Sequence, residues 1–295
     1  MGEFDLIAKF FTRDSQRNDV LLGVGDDAAL INIDAGACLA CALATVAAEK
    51  AGLPYPEGGA FAQKLARTAF NRLAAQGAAP AWLTLSLTLP KPDTEWLDEF
   101  SRALHAAAAG YGATLIGGDT TRGQLSATLI AHGLGFETSG RRLAPAGGDA
   151  VFVTGAIGLG LQDKSTADCA RQHPLNEVPP RVNAGMAAAP HVSAAVDIRR
   201  SLAATLTDLL DPFELGADIE ADKLPVVAEA KTLLGRRGGA KLLIETSDDP
   251  ELCFLVPRER ESEFCDDMAK LPDPCTRIGI VTGRRGVRVR NDRER

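Results

Sequence analysis

Two short runs carry most of the chemistry available to this sequence. In Gly23-Val-Gly25-Asp26-Asp27 two adjacent carboxylates sit at a glycine-permitted turn between apolar stretches. Glycine lets the main chain approach a ligand, and hard carboxylate oxygens suit Mg²⁺, which binds through a few acids together with phosphate oxygens. The same run also reads as a hairpin turn with solvated acids. Gly117-Gly118-Asp119-Thr120-Thr121-Arg122-Gly123 is richer, combining flexible backbone donors, a carboxylate, two hydroxyls and a guanidinium, the groups that hold a phosphate–magnesium unit. Its plainer reading is a decorated hairpin loop. Asp197, which closes the apolar run Ala195-Val196, is either a ligand or a helix cap. Asp248-Asp249, just before Glu251-Leu-Cys-Phe254, either faces a substrate or caps a strand.

Other chemistries are excluded by spacing. No GxxxxGK[ST] run is present, so the chain is not a P-loop enzyme. Gly155-Ala-Ile-Gly158-Leu-Gly160 follows an apolar strand, but its glycine order is the reverse of a dinucleotide fingerprint. His105, His132, His173 and His191 are spread out and none adjoins a candidate nucleophile, which disfavours a hydrolase triad. Cys38 and Cys41 form a CxxC, yet no second ligand pair follows it. The run Cys38-Leu-Ala-Cys-Ala-Leu reads as a buried strand, and the six cysteines read as small hydrophobes in a reducing cytoplasm.

The elements that must position these runs follow from hydrophobic period. Leu6–Phe11 is a short amphipathic helix, and Leu21–Asn32 is strand, turn, strand. Ala37–Val46 is an apolar strand. Apolar residues at three and four between Ala60 and Ala75 predict a helix that stops at Gly77. Trp82–Leu89 alternates Leu with Thr and Ser, the pattern of a half-buried antiparallel strand, and a helix capped at Asp93 or Thr94 follows. Thr114–Ile116 and Ser126–Leu134 are strands around the 117–123 loop. A boundary falls where Gly, Pro and Arg cluster in Arg141–Asp149, dividing the chain into domains 1–140 and 141–295. Beyond it come strand Ala150–Thr154, a glycine-rich turn into a helix, an extended connector over 172–182, and a basic tail Arg284–Arg295 that reads as a final strand with solvated residues.

Composition agrees with a folded two-domain protein. The chain has 295 residues, 45% hydrophobic and 24% charged, enough to bury a sizeable core. Aromatics at 5% leave few rings for stacking bases or sugars, and a net charge of −7 opposes binding to nucleic acid. No run approaches the roughly 20 apolar residues that span a bilayer, and the N-terminus has no signal-peptide pattern. The expectation is a cytoplasmic protein with neither nucleic acid nor membrane as a partner.

Taken in order, the motifs resemble a known family. Gly2–Ile7, Gly23-Val-Gly-Asp-Asp-Ala-Ala-Leu30, Gly77-Ala-Ala-Pro-Ala-Trp-Leu83, Leu115-Ile-Gly-Gly-Asp-Thr-Thr-Arg-Gly123, Gly148–Gly155, Pro179-Pro-Arg-Val182 and Glu251-Leu-Cys-Phe254 are similar to bacterial thiamine-monophosphate kinase, from residue 2 to about 280. The resemblance implies an α/β (α+β) protein of PurM/AIR synthase-like architecture, a homodimer joined through N-terminal mixed sheets, with ATP and several Mg²⁺ ions between its domains. It implies transfer of the ATP γ-phosphate onto the phosphate of thiamine monophosphate, with no side-chain nucleophile. By that match Asp27, Asp119 and Asp197 are metal ligands. Gly117, Gly118 and Asp119 form the nucleotide loop, and Arg142 (or Arg141) contacts ATP.

The resemblance also shows departures. The family's Ser-Thr-Asp falls on Ala42-Leu43-Ala44 and its downstream histidine on Ala51. Its Asn-Leu-Ser-Asp falls on Ala69-Phe70-Asn71-Arg72, its Ser-Asp-Gly on Arg199-Arg200-Ser201, and its Gly-Gly-Glu-Asp on Thr246-Ser247-Asp248-Asp249. An Arg in place of an Asp shifts the local charge by two units, each worth on the order of 4 kcal/mol at close range. Two expectations follow: Arg72, Arg199 and Arg200, with Asp248, bind a phosphorylated substrate directly, or the chain is an inactive relative that binds a metabolite or serves as a scaffold.

Overall fold

The computed structural model describes residues 3–13, 17–48, 56–135, 144–161, 178–198, 200–247 and 249–290. The expected contacts of Arg142, Arg199 and Asp248, and much of the 172–182 connector, lie outside the described residues. The chain forms two compact units.

The first unit holds helices α1 (Glu3–Phe10), α2 (Gly58–Ala75) and α3 (Thr94–Ala109). Its strands are β1 (Val20–Leu22), β2 (Leu30–Ile31), β3 (Cys38–Ala47), β4 (Ala78–Leu89), β5 (Thr114–Arg122) and β6 (Ser126–Gly135). The last four form one sheet in the order β3-β6-β4-β5. The alternation of β4 works as expected: Leu83, Leu85, Leu87 and Leu89 are buried, while Ser86 on the other face is exposed. Burying each leucine contributes about 1.5–3 kcal/mol. Strand β4 is antiparallel to β6 but parallel to β5, so the sheet is mixed rather than wholly antiparallel. Leu65, Phe70 and Leu73 of α2 and Leu97, Phe100 and Leu104 of α3 are fully buried. The Asp93 side chain caps α3 by accepting from the Trp96 N–H at 3.2 Å, and the Trp96 ring stacks on Phe100. Asp19, held below the usual carboxylate range by Arg17, accepts from the Trp82 indole N–H at 3.1 Å and ties the N-terminal segment to β4.

Strand β3 corrects the first expectation. It is the edge of the sheet, paired only with β6, and its Leu39 and Leu43 are 41% and 50% exposed in the single chain. Cys38 and Cys41 are exposed with it, and of the five described cysteines only Cys253 is buried. An apolar run is buried only where another layer covers it, and the described residues lay none over this outward face.

The second unit carries β7 (Ala150–Thr154), β8 (Ala194–Asp197), β9 (Gly216–Glu220), β10 (Leu252–Val256), β11 (Cys275–Thr282) and β12 (Gly286–Arg290). They lie in the order β12-β9-β11-β7-β10-β8, antiparallel except for the β9–β12 pair. Helices α4 (Val182–Ala188), α5 (Leu202–Leu210), α6 (Lys231–Leu234), α7 (Gly239–Thr246) and α8 (Glu261–Met268) flank the sheet. Strands β7 and β10 are buried on both faces, as their continuous apolar sequences require. Val151, Val153, Cys253 and Leu255 join one core with Leu206, Leu210 and Leu243. Phe152 and Phe254 face the other core, where the Phe264 ring lies 4.7 Å from Phe152 and 5.7 Å from Phe254. At the starts of α4, β10 and β11 lies an ion network: Arg181 grips both oxygens of Glu251 at 2.7 Å and donates to Asp273 at 2.6 Å. The hydroxyl of Thr154 donates to Glu251 at 2.5 Å. Gly155, at φ +56°, is the only residue type that fits there, because a Cβ would stand 2.2 Å from Glu251 Oε1.

Candidate functional site

In the first unit the candidate residues lie on two edges of the sheet and one turn. Asp26 and Asp27 are exposed in the turn between β1 and β2, with the Asp27 N–H donating to Asp26 Oδ1 at 2.8 Å. Asp119 is exposed, but it does not lie in a loop. Strand β5 runs through Arg122, and Asp119 stands in register with Ser86 of β4. The glycines that read as a turn serve a different purpose. A Cβ on Gly118 would lie 2.1 Å from the Leu85 carbonyl, so glycine is what lets β5 pair closely with β4 here. Nothing comes within 4 Å of the equivalent point on Gly117, whose α-carbon is open to a ligand.

On the Asp119 face the register aligns a band of hydroxyls: Thr88 and Thr121 bond at 2.9 Å, and Thr45 and Thr128 at 2.9 Å. Further along, Cys41 Sγ lies 3.3 Å from His132 Nδ1 directly across the β3–β6 pair. Burial holds the His132 imidazole below its ordinary pKa, so the ring there is neutral near pH 7. Sequence reasoning missed both features, since partners 83 and 91 residues apart share no local signal.

Arg72 reaches from the last turn of α2 to the main-chain carbonyl of Leu43 on β3, donating through Nη1. The structure thus brings together two positions, 42–44 and 72, that the family resemblance marks as acid-bearing. Here they present Ala44, fully buried, and a guanidinium. Among the described residues no group of three His, Cys, Asp or Glu side chains converges as a metal site would need.

In the second unit Asp197 ends β8, buried, opposite Leu252 of β10. Ser201 caps α5 instead, accepting from the Ala204 N–H at 3.2 Å. Arg200 is exposed in the left-handed region at φ +60° and pairs with Asp208 at 2.6 Å. Asp249 departs most from expectation. It neither faces solvent nor caps β10; buried, it accepts from the N–H groups of Gly158 at 2.9 Å and Gly160 at 3.1 Å and from the Ser247 hydroxyl at 2.6 Å. Burial raises its pKa against the pull of those donors. The glycine-rich turn after β7 is therefore filled by the chain's own carboxylate, and it leads into a short 3₁₀ turn, Leu159–Leu161.

A mixed four-stranded sheet unit followed by a six-stranded one places the chain among the AIR synthase related proteins. Residues 25–135 match the family described as AIR synthase related protein, N-terminal domain, and residues 146–292 match its C-terminal domain. The chain is 36% identical to the thiamine-monophosphate kinase of Salmonella typhimurium over 297 residues, 95% of this chain and 90% of that protein. The crystal structure of thiamine-monophosphate kinase from Stenotrophomonas maltophilia K279a superposes with a TM-score of 0.79 at 31% identity, covering 93% of this chain and 92% of the other. A structure described as AaThiL complexed with AMPPCP and TMP shares the fold, with a TM-score of 0.69 at 20% identity over 88% of this chain and 85% of that one. The chain belongs to the thiamine-monophosphate kinase family. Among the described residues no helix is long and apolar enough to cross a membrane.

Proposed function

We propose that the protein is an ATP-dependent phosphotransferase of the cytoplasm, moving the γ-phosphate of ATP onto the phosphate of a phosphorylated small molecule. Thiamine monophosphate is the first acceptor to test. The observation that carries this reading is identity of 36% sustained over 95% of the chain. A fold shared with AaThiL, described with AMPPCP and TMP, is in keeping with a nucleotide and a monophosphate as the ligand pair. In the transfer an acceptor phosphate oxygen attacks the γ-phosphorus and ADP leaves. The barrier is mainly the meeting of two anions, so positive charge and positioning supply most of the catalysis. Gly117 offers open main chain beside the nucleotide, with Gly118, Asp119 and Arg142 as its further contacts. Mg²⁺ arrives as the counter-ion of ATP, with Asp27, Asp119 and Asp197 as the available oxygen donors. Arg72, Arg199 and Arg200, with Asp248, meet the acceptor. The protein acts as a homodimer closed over the exposed outward face of β3, with domains 1–140 and 141–295.

A second reading, a relative that binds a nucleotide without turnover, is favoured by one observation: Arg72 and the buried Ala44 stand together where acids are expected. Calorimetric titration with a non-hydrolysable ATP analogue, with and without Mg²⁺, followed by transfer of labelled γ-phosphate to thiamine monophosphate, separates the two. Transfer that Asp119→Asn abolishes establishes the kinase. Binding of the analogue with no transfer to any phosphorylated acceptor establishes the second reading, and no binding overturns both.

A further inference from the structure

One cavity of the second unit is walled by residues that have no part in the phosphate and nucleotide contacts above. It has a volume of about 300 Å³ and is bordered by α8, the 271–274 turn and the start of β11. That volume is at the lower end of the range that takes small organic ligands. Phe152, Phe264, Met268, Leu271 and Pro274 give it an apolar lining, and Asp273 is the one carboxylate in its wall. The wall is held in place from behind. Phe264 packs on Phe152 and Phe254, and the Pro274 carbonyl accepts from the Gly155 N–H at 2.8 Å.

The charge of Asp273 is not cancelled inside the fold. Arg181 gives two N–H groups to Glu251, both at 2.7 Å, and a third to Asp273 Oδ1 at 2.6 Å. Burial raises the pKa of Glu251, but its Arg181 and Thr154 neighbours all donate to it and hold it as the carboxylate. One guanidinium thus serves two carboxylates, and the cluster keeps one negative charge. The surplus falls on Asp273, whose side chain is 38% exposed and whose Oδ2 meets no donor among the described residues. The two thiols in the wall add no charge. Burial pushes Cys275 up, and burial with Glu261 and Asp266 does the same for Cys265. Helix α8 carries Glu261, Glu263, Asp266 and Asp267 and no base, with Arg277 beside Glu261 and Lys270 beside Asp267 offsetting part of that charge.

We propose that this cavity binds a small organic cation, an ammonium group on a compact apolar body the size of one aromatic ring. The ammonium meets Asp273 Oδ2 and the body fills the apolar lining. Burial of the body supplies affinity, and the carboxylate selects the sign of the charge. A bare Mg²⁺ or Ca²⁺ ion needs several oxygen donors and finds one carboxylate here. A neutral apolar ligand leaves the Asp273 charge facing it unpaired, which costs affinity.

The test is calorimetric titration of the full-length protein with 2-phenylethylammonium and with its neutral counterpart, 2-phenylethanol. It is read alongside the labelled methyl resonances of Met1, Met186 and Met268, the three methionines of the chain. One cation should bind per chain, about tenfold more tightly than the alcohol, the scale of one partly screened charge contact. The Met268 methyl should shift while those of Met1 and Met186 stay in place. Asp273→Asn should bring the cation down to the affinity of the alcohol and leave the alcohol unchanged. Ala269→Phe, at an exposed position in the wall, should fill the space and abolish binding of both. Equal affinity for cation and alcohol, an unmoved Met268 methyl, or undiminished binding in Ala269→Phe would overturn the proposal, as would no binding of the cation at millimolar concentration. Should Asp273→Asn not fold for want of its Arg181 contact, Ala269→Phe and the comparison of the two probes decide.

Discussion

At the scale of single residues, Arg200 is the most informative position. A non-glycine residue at φ +60° carries strain on the order of 1–3 kcal/mol, which persists only where something else holds it. Its pairing with Asp208 is exposed and contributes little. Arg200→Gly should therefore raise the urea midpoint, by about 1 kcal/mol of stability, while weakening binding of the phosphorylated acceptor. A stabilised variant with unchanged affinity would take Arg200 out of the site. Individual residues were legible to very different degrees. Asp27 and Asp119 stand out because glycines flank them, and both are exposed as a ligand contact requires. Asp249 looked like a surface acid because its partners Gly158 and Gly160 are 91 and 89 residues away. Arg181 gave no local sign of its pairing with Glu251, 70 residues on. Long-range polar pairing leaves no periodic trace in a sequence.

At the scale of elements, hydrophobic period located most helices and strands, and errors came where a residue type has two uses. Gly117-Gly118 reads as a turn by composition, yet Gly118 is a strand residue pressed against Leu85. The two glycines should separate cleanly on mutation. Gly118→Ala forces β5 from β4 and should cost about 1–3 kcal/mol in denaturant unfolding, as overpacking does. Gly117→Ala meets no neighbour, so it should leave stability within about 0.5 kcal/mol, the range of surface changes, and reduce nucleotide affinity. Equal destabilisation of both variants would contradict this division of roles. Strand β3 was placed correctly, but its burial was not, because an apolar sequence states a preference for cover without saying what provides it.

At the scale of the molecule, the residue pattern announced an α/β or α+β class in two domains, which the resemblance made specific as a PurM/AIR synthase-like architecture. Two histidines contribute to how stability responds to acid. Burial lowers the pKa of His105, opposed by the Phe10 carbonyl and reinforced by Arg13, and burial alone lowers that of His132. Below the ordinary histidine value the unfolded chain then binds more protons than the folded one, so stability is complete above about pH 6.5 and falls as pH drops through the folded values. Thermal unfolding between pH 7 and pH 5 should show this fall, with a shallower slope in His105→Gln; an identical slope would exclude His105 as a contributor. The proposed homodimer is tested by Leu39→Lys, which places a charge on the exposed face of β3. Sedimentation should give a dimer for the parent chain and a monomer for the variant.

The position of β3 also has a consequence for the order of synthesis. Among the described residues its sheet partner is β6, with Cys38 opposite Gly135 and Ala47 opposite Ser126, so an uncharged strand leaves the ribosome long before the residues that pair with it exist. At roughly 5–20 residues per second the wait is roughly 4–18 s, during which both edges of the strand are open. A nascent chain in that interval offers a template for any passing strand. Slower translation lengthens this open interval, before either unit has a completed sheet.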